Sequence, residues 1–569
     1  LSPFIRAQSV QSGDRLLAWS VFCCLLAFYL ATFAGLPDNP DAEVEFQTTS
    51  ALVRNQSFAL GGTPEAEAIV GIVHQGRQGF NVARGGPGRE QEFFSWSGIG
   101  QPLVAFPLYV AGSFLGRMLP AFEERHRATT HLGAGRSEYF EHLVVGLRNP
   151  LLGALTGALI VITARRAGAR RLHAAMAGLT YGLASYAWPQ ARGTLSDVQA
   201  SAALFLAFVL TQGVSERLER GKPARAGAAL GFGMALGVAF LTRTVLAPAV
   251  AVLGIYYLVR CVRAARELPP GRFPLRELVL GYTPALLCFG LYLWTNERRF
   301  GDPLESGYGG VVGLSWFLRS PLEGLVGVTV SPGSGLLWFT PLVLLTGVWW
   351  VSALRRGERG VPLLVLALLF ALGVPHVLIP SWHGAWSYGP RYILPLLPFL
   401  WFPLGVAFGI LSERLLGRIA VLALTLLGSI TALGGVLVEY NTNLDLSFQA
   451  ARVAWPTVGE ITDPAVADEE RFLRTKFDWR FAAPWAHWRI FRHRMAGMGE
   501  SYSVRELYYL ADDTRIEPAV ERTKGFRHLA WVDLAQRLGG PTWIGPLLVV
   551  LLGIASFALA LRASEADLA

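Results

Sequence analysis

Charged residues make up only 16% of this 569-residue chain, against 52% hydrophobic ones, a shortage that excludes a water-soluble globular fold. Cysteine is scarce as well. The four present, Cys23, Cys24, Cys261 and Cys288, all lie inside apolar runs without metal-type spacing, and read as packing residues rather than disulfides. G-x-x-x-x-G-K-[ST], H-E-x-x-H and G-x-S-x-G are all missing, which counts against an ATP-driven pump and a zinc protease. No internal repeat or low-complexity tract stands out. The formal charge of +9 does not imply nucleic acid, because the arginines sit in short loops between apolar blocks, where orientation in a membrane accounts for them.

What the chain has instead is a series of apolar blocks near 20 residues long. The first, Leu16–Leu36, is 21 uncharged residues, long enough at about 1.5 Å each to cross the roughly 30 Å hydrocarbon core of a bilayer. It is too long for the apolar region of a cleaved signal peptide, although Ala31, Ala34 and Gly35 are small residues near its end. Arg6 and Arg15 precede it, and Asp38, Asp41, Glu43 and Glu45 follow it. The positive-inside rule therefore puts Asp41 on the far face. A plainer role for these acids is to solvate a helix end.

Ala42 to Leu52 reads as a short helix lying beside the membrane. Gly98–Leu119 is apolar but broken by Pro102 and Pro107, and we expect it to be re-entrant or interfacial. Further spans are expected at 144–164, 172–189, 197–213, 225–241, 245–262, 277–295, 335–353, 361–380, 391–411, 417–438 and 542–562, twelve in all with the first. Eighteen cations then fall in loops on one side, among them Arg165, Arg166, Arg170 and Arg171, and a crossing at Gly98–Leu119 would reverse that. The expected fold is an all-α polytopic membrane protein. Residues 1–438 form a transmembrane module whose first outer loop is 37–143, 439–541 a small outer domain, and 542–569 a last span with a cytoplasmic tail.

Several costly polar groups gather on the outer side. Trp188–Asp197 places Arg192 and Asp197 at the water boundary, and Arg243 stands between two apolar runs. Ionisable residues at such depths are functional candidates, with a snorkelling structural arginine as the alternative. The loop Asn296–Gly309 mixes charge, glycine and an aromatic, and reads either as a lid or as a connector. Ser331-Pro332-Gly333-Ser334-Gly335 could cradle a phosphate at a helix start, or simply begin a helix. Ser381–Tyr392 crowds Trp382, His383, Trp386, Tyr388, Arg391 and Tyr392 together. Interfacial anchoring would explain the aromatics. Aromatic faces also stack on sugars and an arginine fork grips phosphate, which suits a glycosyl phosphate. A carboxylate in a wet outer cavity can act as a general base on an alcohol.

This layout resembles the C-type glycosyltransferase superfamily, and within it bacterial relatives of the protein O-mannosyltransferases and of the aminoarabinose transferase that modifies lipid A. In those, an Asp-Glu pair opens a helix that reaches a Leu eleven residues after the Asp, and Asp41 to Leu52 repeats that spacing. The second acid departs from the pattern, because Ala42 follows Asp41 and the next carboxylate is Glu43. The segments Trp188–Asp197, Gly301–Gly309, Ser331–Leu337 and Trp382–Tyr392 resemble stretches of uncharacterised bacterial members.

The resemblance implies a bundle of about twelve spans with membrane-lying outer helices, and an inverting transfer of sugar from a polyprenyl-phosphate donor. The acceptor would be a hydroxyl of a lipid, glycan or protein at the outer, periplasmic face of a bacterial cytoplasmic membrane. Asp41 would be the base, with Glu43 beside it; Arg192, Arg243 and Arg391 would hold the phosphate; and Asp197, Trp382, His383, Trp386 and Tyr388 would bind sugar or acceptor. No cofactor is required for phosphate to leave, and a divalent cation is compatible. The rival expectations are a transporter or flippase of lipid-linked sugars, and a scaffold whose 439–541 region binds a partner.

Overall fold

The computed structural model describes residues 11–37, 39–74, 81–129, 138–265, 273–308, 321–384, 387–518, 529–537, 539 and 543–565. Helices dominate, and the strands among the described residues form two small ribbons. Val82–Arg84 pairs antiparallel with Phe93–Ser95, and Tyr502–Ser503 with Arg515–Ile516. The chain is an all-α, multi-pass membrane fold, as its composition requires.

Eight helices among the described residues are long and apolar enough to cross a bilayer: Ser12–Ala31, Tyr139–Arg166, Asp197–Glu219, Thr244–Ala264, Leu275–Phe300, Gly360–Leu378, Leu415–Leu437 and Gly545–Ala563. A ninth forms if Arg391–Trp401 and Leu404–Leu411, bent by 54°, count as one span. The other three of the twelve expected spans are shorter or broken. Arg171–Leu183 stops at Ser185, whose hydroxyl accepts from the Ala187 N–H at 3.1 Å and restarts the chain as Ala187–Arg192. Ala226–Thr242 is an unbroken apolar helix of 17 residues. The expected span at 335–353 breaks at Thr340-Pro341, where proline cannot continue the hydrogen-bond ladder. Pro395, Pro398 and Pro403 lie in the bent pair and act in the same way.

Apolar side chains point outward as well as inward. Leu286, Leu287, Leu416 and Phe557 keep 66, 69, 80 and 66% of their surface exposed on these helices, a pattern stable only where the solvent is hydrocarbon. Inside, Tyr186, Phe205, Phe208, Trp349 and Trp401 are fully buried. Ser20 and Ser556 hydrogen-bond at 3.3 Å between the first and last spans. At one end, buried Asp14 pairs with Arg165 at 2.8 Å and Arg171 at 2.9 Å, so part of the basic loop cluster is stapled to the first span.

The other end carries the candidate site. The expected helix after the acidic exit is present and slightly longer, Pro40–Asn55. It lies beside Gly100–Met118, a helix with Pro107 inside it that is not one of the eight. Close backbone approach fixes that neighbour: a Cβ on Gly98 would stand 2.0 Å from the Leu241 carbonyl oxygen, and one on Gly112 2.5 Å from the Glu141 Cα. Beyond Leu437, the helices Tyr440–Ala454 and Ala483–Met495 share a core with Phe481, Tyr502 and Tyr508, and Pro464–Phe477 stacks its Phe472 on Phe448 of the first. Trp488 Nε1 fastens this unit to the Ile430 carbonyl at 3.0 Å.

Candidate active site

The Pro40–Asn55 helix begins as its sequence dictates. Asn39 caps it, its side-chain oxygen accepting from the Asp41 N–H at 2.8 Å, and Pro40 takes the first helical position, where no N–H is needed. Asp41 and Glu43 in the first turn also suit the positive end of the helix dipole. At 3.6 residues per turn, Asp41 and Glu45 share one face and Glu43 turns away.

Asp41 Oδ2 accepts from Arg391 Nη2 at 3.1 Å, with 20% of the Asp41 side chain exposed and 7% of Arg391. Arg391 follows two glycines in the left-handed region, Gly384 (φ +70°) and Gly389 (φ +80°), which fold the loop back. Gly384 lies against the arginine so closely that a Cβ there would meet its Cγ at 2.9 Å. The guanidinium also donates to the Tyr392 hydroxyl at 3.3 Å, and its Cζ stands 5.0 Å from the Tyr392 ring centre. Arg243 approaches the same ring at 5.2 Å. Arg243 is in turn held by buried Asp197, Nη1 to Oδ1 at 2.5 Å. His376 stacks on Tyr392 at 5.2 Å. Asp41, Arg391, Tyr392, Arg243 and Asp197 thus form one continuous chain. Buried Arg391 Nε and Asp197 Oδ2 have no hydrogen-bond partner, so the cluster has unused capacity for a polar ligand.

Glu45 adds a second carboxyl on the Asp41 side. It is buried, and its pKa is pushed up to about 7, first by burial. The nearby Arg148 opposes the rise, the Asp41 charge adds to it, and Ser196 and Arg243 oppose it. Arg148 pins the adjoining motif, donating from Nη2 to the Thr194 carbonyl at 2.6 Å, while Asn149 Nδ2 donates to the Leu195 carbonyl at 2.8 Å. Tyr308, stacked on Trp96 with ring centres 5.1 Å apart, lies within electrostatic reach of Arg243, Asp41 and Glu45.

The other residues singled out in the sequence lie elsewhere. Glu43 Oε1 accepts from Gln47 Nε2 at 2.9 Å and lies 3.4 Å from His142 Nε2, away from Arg391. Arg192 lines a separate cavity of about 30 Å³ with Tyr388, Glu439 and Tyr440. Trp382 is buried, its Nε1 donating to Glu323 Oε1 at 3.1 Å and its ring pressed on Gly327, so protein already covers the surface a sugar would stack on. Tyr388 is buried likewise and donates to the Thr431 carbonyl at 2.7 Å. His383 lies edge-on to Phe472 at 5.0 Å, and burial, then the charges of Lys476 and Arg391, hold it well below the usual imidazole range. Trp386 and Gly309 lie outside the described residues. Among the described residues no three of His, Cys, Asp and Glu come together as a metal's donor set.

Sequence reasoning names Glu45 and Tyr392 without giving either a role, and passes over Arg148 and Lys476. Glu45 could have been found from its four-residue offset to Asp41, and Arg148 from being a charge at the mouth of an apolar span. Lys476 is contributed by the unit beyond Leu437; its Nζ donates to the Tyr440 hydroxyl at 3.2 Å and sits 4.1 Å from the Phe472 ring centre. Burial lowers its pKa to about 7. No sequence signal marked it.

No protein-family model and no curated protein matches this chain. Among solved structures it is similar to ArnT from Cupriavidus metallidurans bound to undecaprenyl phosphate, at 16% identity and a TM-score of 0.43, covering 94% of this chain and 76% of that one. The apo state of the same protein gives a TM-score of 0.41. The archaeal oligosaccharyltransferase AglB from Archaeoglobus fulgidus, in complex with an inhibitory peptide and a dolichol-phosphate, is similar at 10% identity and a TM-score of 0.35, over 76% of this chain and 59% of that one.

Proposed function

We propose that this protein is an integral membrane glycosyltransferase that moves a sugar from a polyprenyl-phosphate donor to an acceptor hydroxyl at the periplasmic face of a bacterial cytoplasmic membrane. The observation that carries the reading is the 3.1 Å contact between Asp41 and Arg391, which brings the acid of the first outer loop to the basic aromatic motif of a distant one. The sequence resemblance to C-type glycosyltransferases supports it independently.

In the site as it stands, Arg391 neutralises Asp41. A donor phosphate offers that guanidinium a second, stronger anionic partner, and Arg243 lies on the same tyrosine ring to share the charge. Asp41 is then released to accept the acceptor's proton. The acceptor oxygen bonds to the anomeric carbon, the bond from that carbon to phosphate oxygen breaks with its electron pair going to the phosphate, and the proton goes to Asp41. Attack from the side opposite the phosphate inverts the anomeric centre. Asp197 keeps Arg243 charged and aimed, acting through it rather than on the sugar.

Mass spectrometry of lipids and envelope polymers from cells with the gene, without it, and with Asp41→Asn tests the reading. The same single sugar should be missing from the last two. A flippase would need the arginines but not Asp41, so a full complement of sugar in the Asp41→Asn strain would refute the transferase.

A further inference from the structure

Two carboxyls face the same side of one helix, a single turn apart, in unlike surroundings. Asp41 is partly exposed and held by Arg391, whereas Glu45 is only 3% exposed, and its Oε2 has no hydrogen-bond partner. Arg148 carries a buried Nη1 that is likewise without a partner, on the helix that faces Glu45. Charged and titratable groups reach Glu45 from every side: Asp41 on its own helix, Arg148 from the Tyr139–Arg166 span, Arg243 after Ala226–Thr242, and Tyr308 after Leu275–Phe300. The Ser196 hydroxyl faces it from the start of Asp197–Glu219.

We propose that Glu45 is the acid of the reaction: it gives its proton to the departing phosphate oxygen while Asp41 takes one from the incoming hydroxyl. The step balances. The anomeric carbon–oxygen bond breaks, its electron pair settles on phosphate, and that oxygen receives the Glu45 proton; the new bond to the acceptor forms as its proton passes to Asp41. One proton then returns from Asp41 to Glu45 across one helical turn, and the pair is reset. Paired groups whose surroundings separate their affinities for protons are how a site holds one acid and one base at the same pH. Arg148 and Arg243 would steady the Glu45 carboxylate left after transfer. Glu43, turned toward His142, takes no part.

This rests on the transferase reading, and two measurements on the full-length protein in nanodiscs separate them. In the first, dicyclohexylcarbodiimide, which attacks protonated carboxyls in apolar surroundings, is followed by peptide mass spectrometry. Glu45 should be labelled near pH 6 and progressively less as the pH rises through about 7, with undecaprenyl phosphate protecting it and undecaprenol not. In the second, native mass spectrometry measures undecaprenyl phosphate binding between about pH 6 and 8. Wild-type affinity should fall by up to about tenfold per pH unit once Glu45 ionises, more steeply than the lipid phosphate's own titration explains, and Glu45→Gln should remove that excess. An unlabelled Glu45, equal protection by undecaprenol, or parallel binding curves for wild type and Glu45→Gln would each overturn Glu45 as the acid while leaving the transferase intact. Failure of wild type to bind undecaprenyl phosphate at any pH would overturn both.

Discussion

Asp41 and Arg391 meet at 3.1 Å although 350 residues separate them in the chain. One belongs to the first loop beyond the first span and the other to the start of a late, bent span, so the contact joins the two ends of the bundle that lies between them in sequence. On the mechanism proposed above it would couple the base to the phosphate-binding group. A donor that recruited Arg391 would then also free Asp41, tying proton transfer to donor occupancy.

Asp41→Asn should cut sugar transfer by about two to four orders of magnitude, the usual contribution of a positioned general base. The amide keeps the shape and still accepts from Arg391, so circular dichroism and the melting temperature should stay near wild type. Transfer in reconstituted membranes, read beside thermal unfolding, checks both.

Arg391→Ala should weaken undecaprenyl phosphate binding by roughly 10- to 100-fold, the loss expected for a charge-assisted contact of about 1.5–3 kcal/mol. Arg391→Lys should recover only part of it, because the guanidinium meets Asp41 and Tyr392 from Nη2 and still has a free Nε to offer a phosphate, whereas lysine is a single point charge. Native mass spectrometry of the lipid complex gives the ratio directly.

Asp197→Ala should destabilise the fold by roughly 2–4 kcal/mol, because it leaves Arg243 largely desolvated without its partner. The value falls toward the lower part of the usual range for buried pairs since 20% of the Arg243 side chain is exposed. Adding Arg243→Gln should restore much of the stability but none of the activity. Thermal unfolding of the single and double variants separates the two contributions.

Glu43→Gln should cost far less activity than Asp41→Asn, since Glu43 bonds Gln47 and faces His142. Equal losses in the two variants, measured in one transfer assay, would place Glu43 in the chemistry after all.

Lys476 makes stability depend on pH with a definite sign. Its folded pKa of about 7 lies below the ordinary lysine value of roughly 10.4, so the unfolded chain binds the extra proton between those limits. Stability therefore rises with pH from about 7 toward 10, and this contribution is lost as the pH falls through about 7. Lys476→Leu should flatten that rise and raise the melting temperature at neutral pH, as scanning calorimetry at several pH values would show.

The helical, membrane-spanning character was legible because hydrocarbon solvent imposes a simple rule, and long apolar runs obey it. The breaks at Pro341 and within 391–411 were less so, since proline is tolerated in spans and its effect depends on neighbours. Sidedness brought Asp41, Asp197, Arg243 and Arg391 to one end but could not say which wall each side chain faces. Arg192 therefore shares the end yet lines a different cavity. Glu43 enters only as the next carboxylate in place of the family's Asp-Glu pair, whereas helical periodicity gives the Asp41 face to Glu45. The aromatic motif was read as a sugar platform, but Trp382 and Tyr388 had already spent their faces on Gly327 and Gly435. Tyr392, the ring both arginines use, looked no different from its neighbours in the sequence.

One fastening under the acidic turn has a bearing on biogenesis. Trp531 Nε1 donates to the Ala31 carbonyl at 2.9 Å and Ala530 N to that of Phe33 at 2.8 Å, struts made about 500 residues after the peptide they support. Since translation delivers a polytopic chain from its amino end, the platform that aims Asp41 stays unbraced until Ala530 and Trp531 have been made. A nascent chain stopped short of Trp531 would hold Asp41 loosely, so the setting of this acid waits on residues far downstream of it.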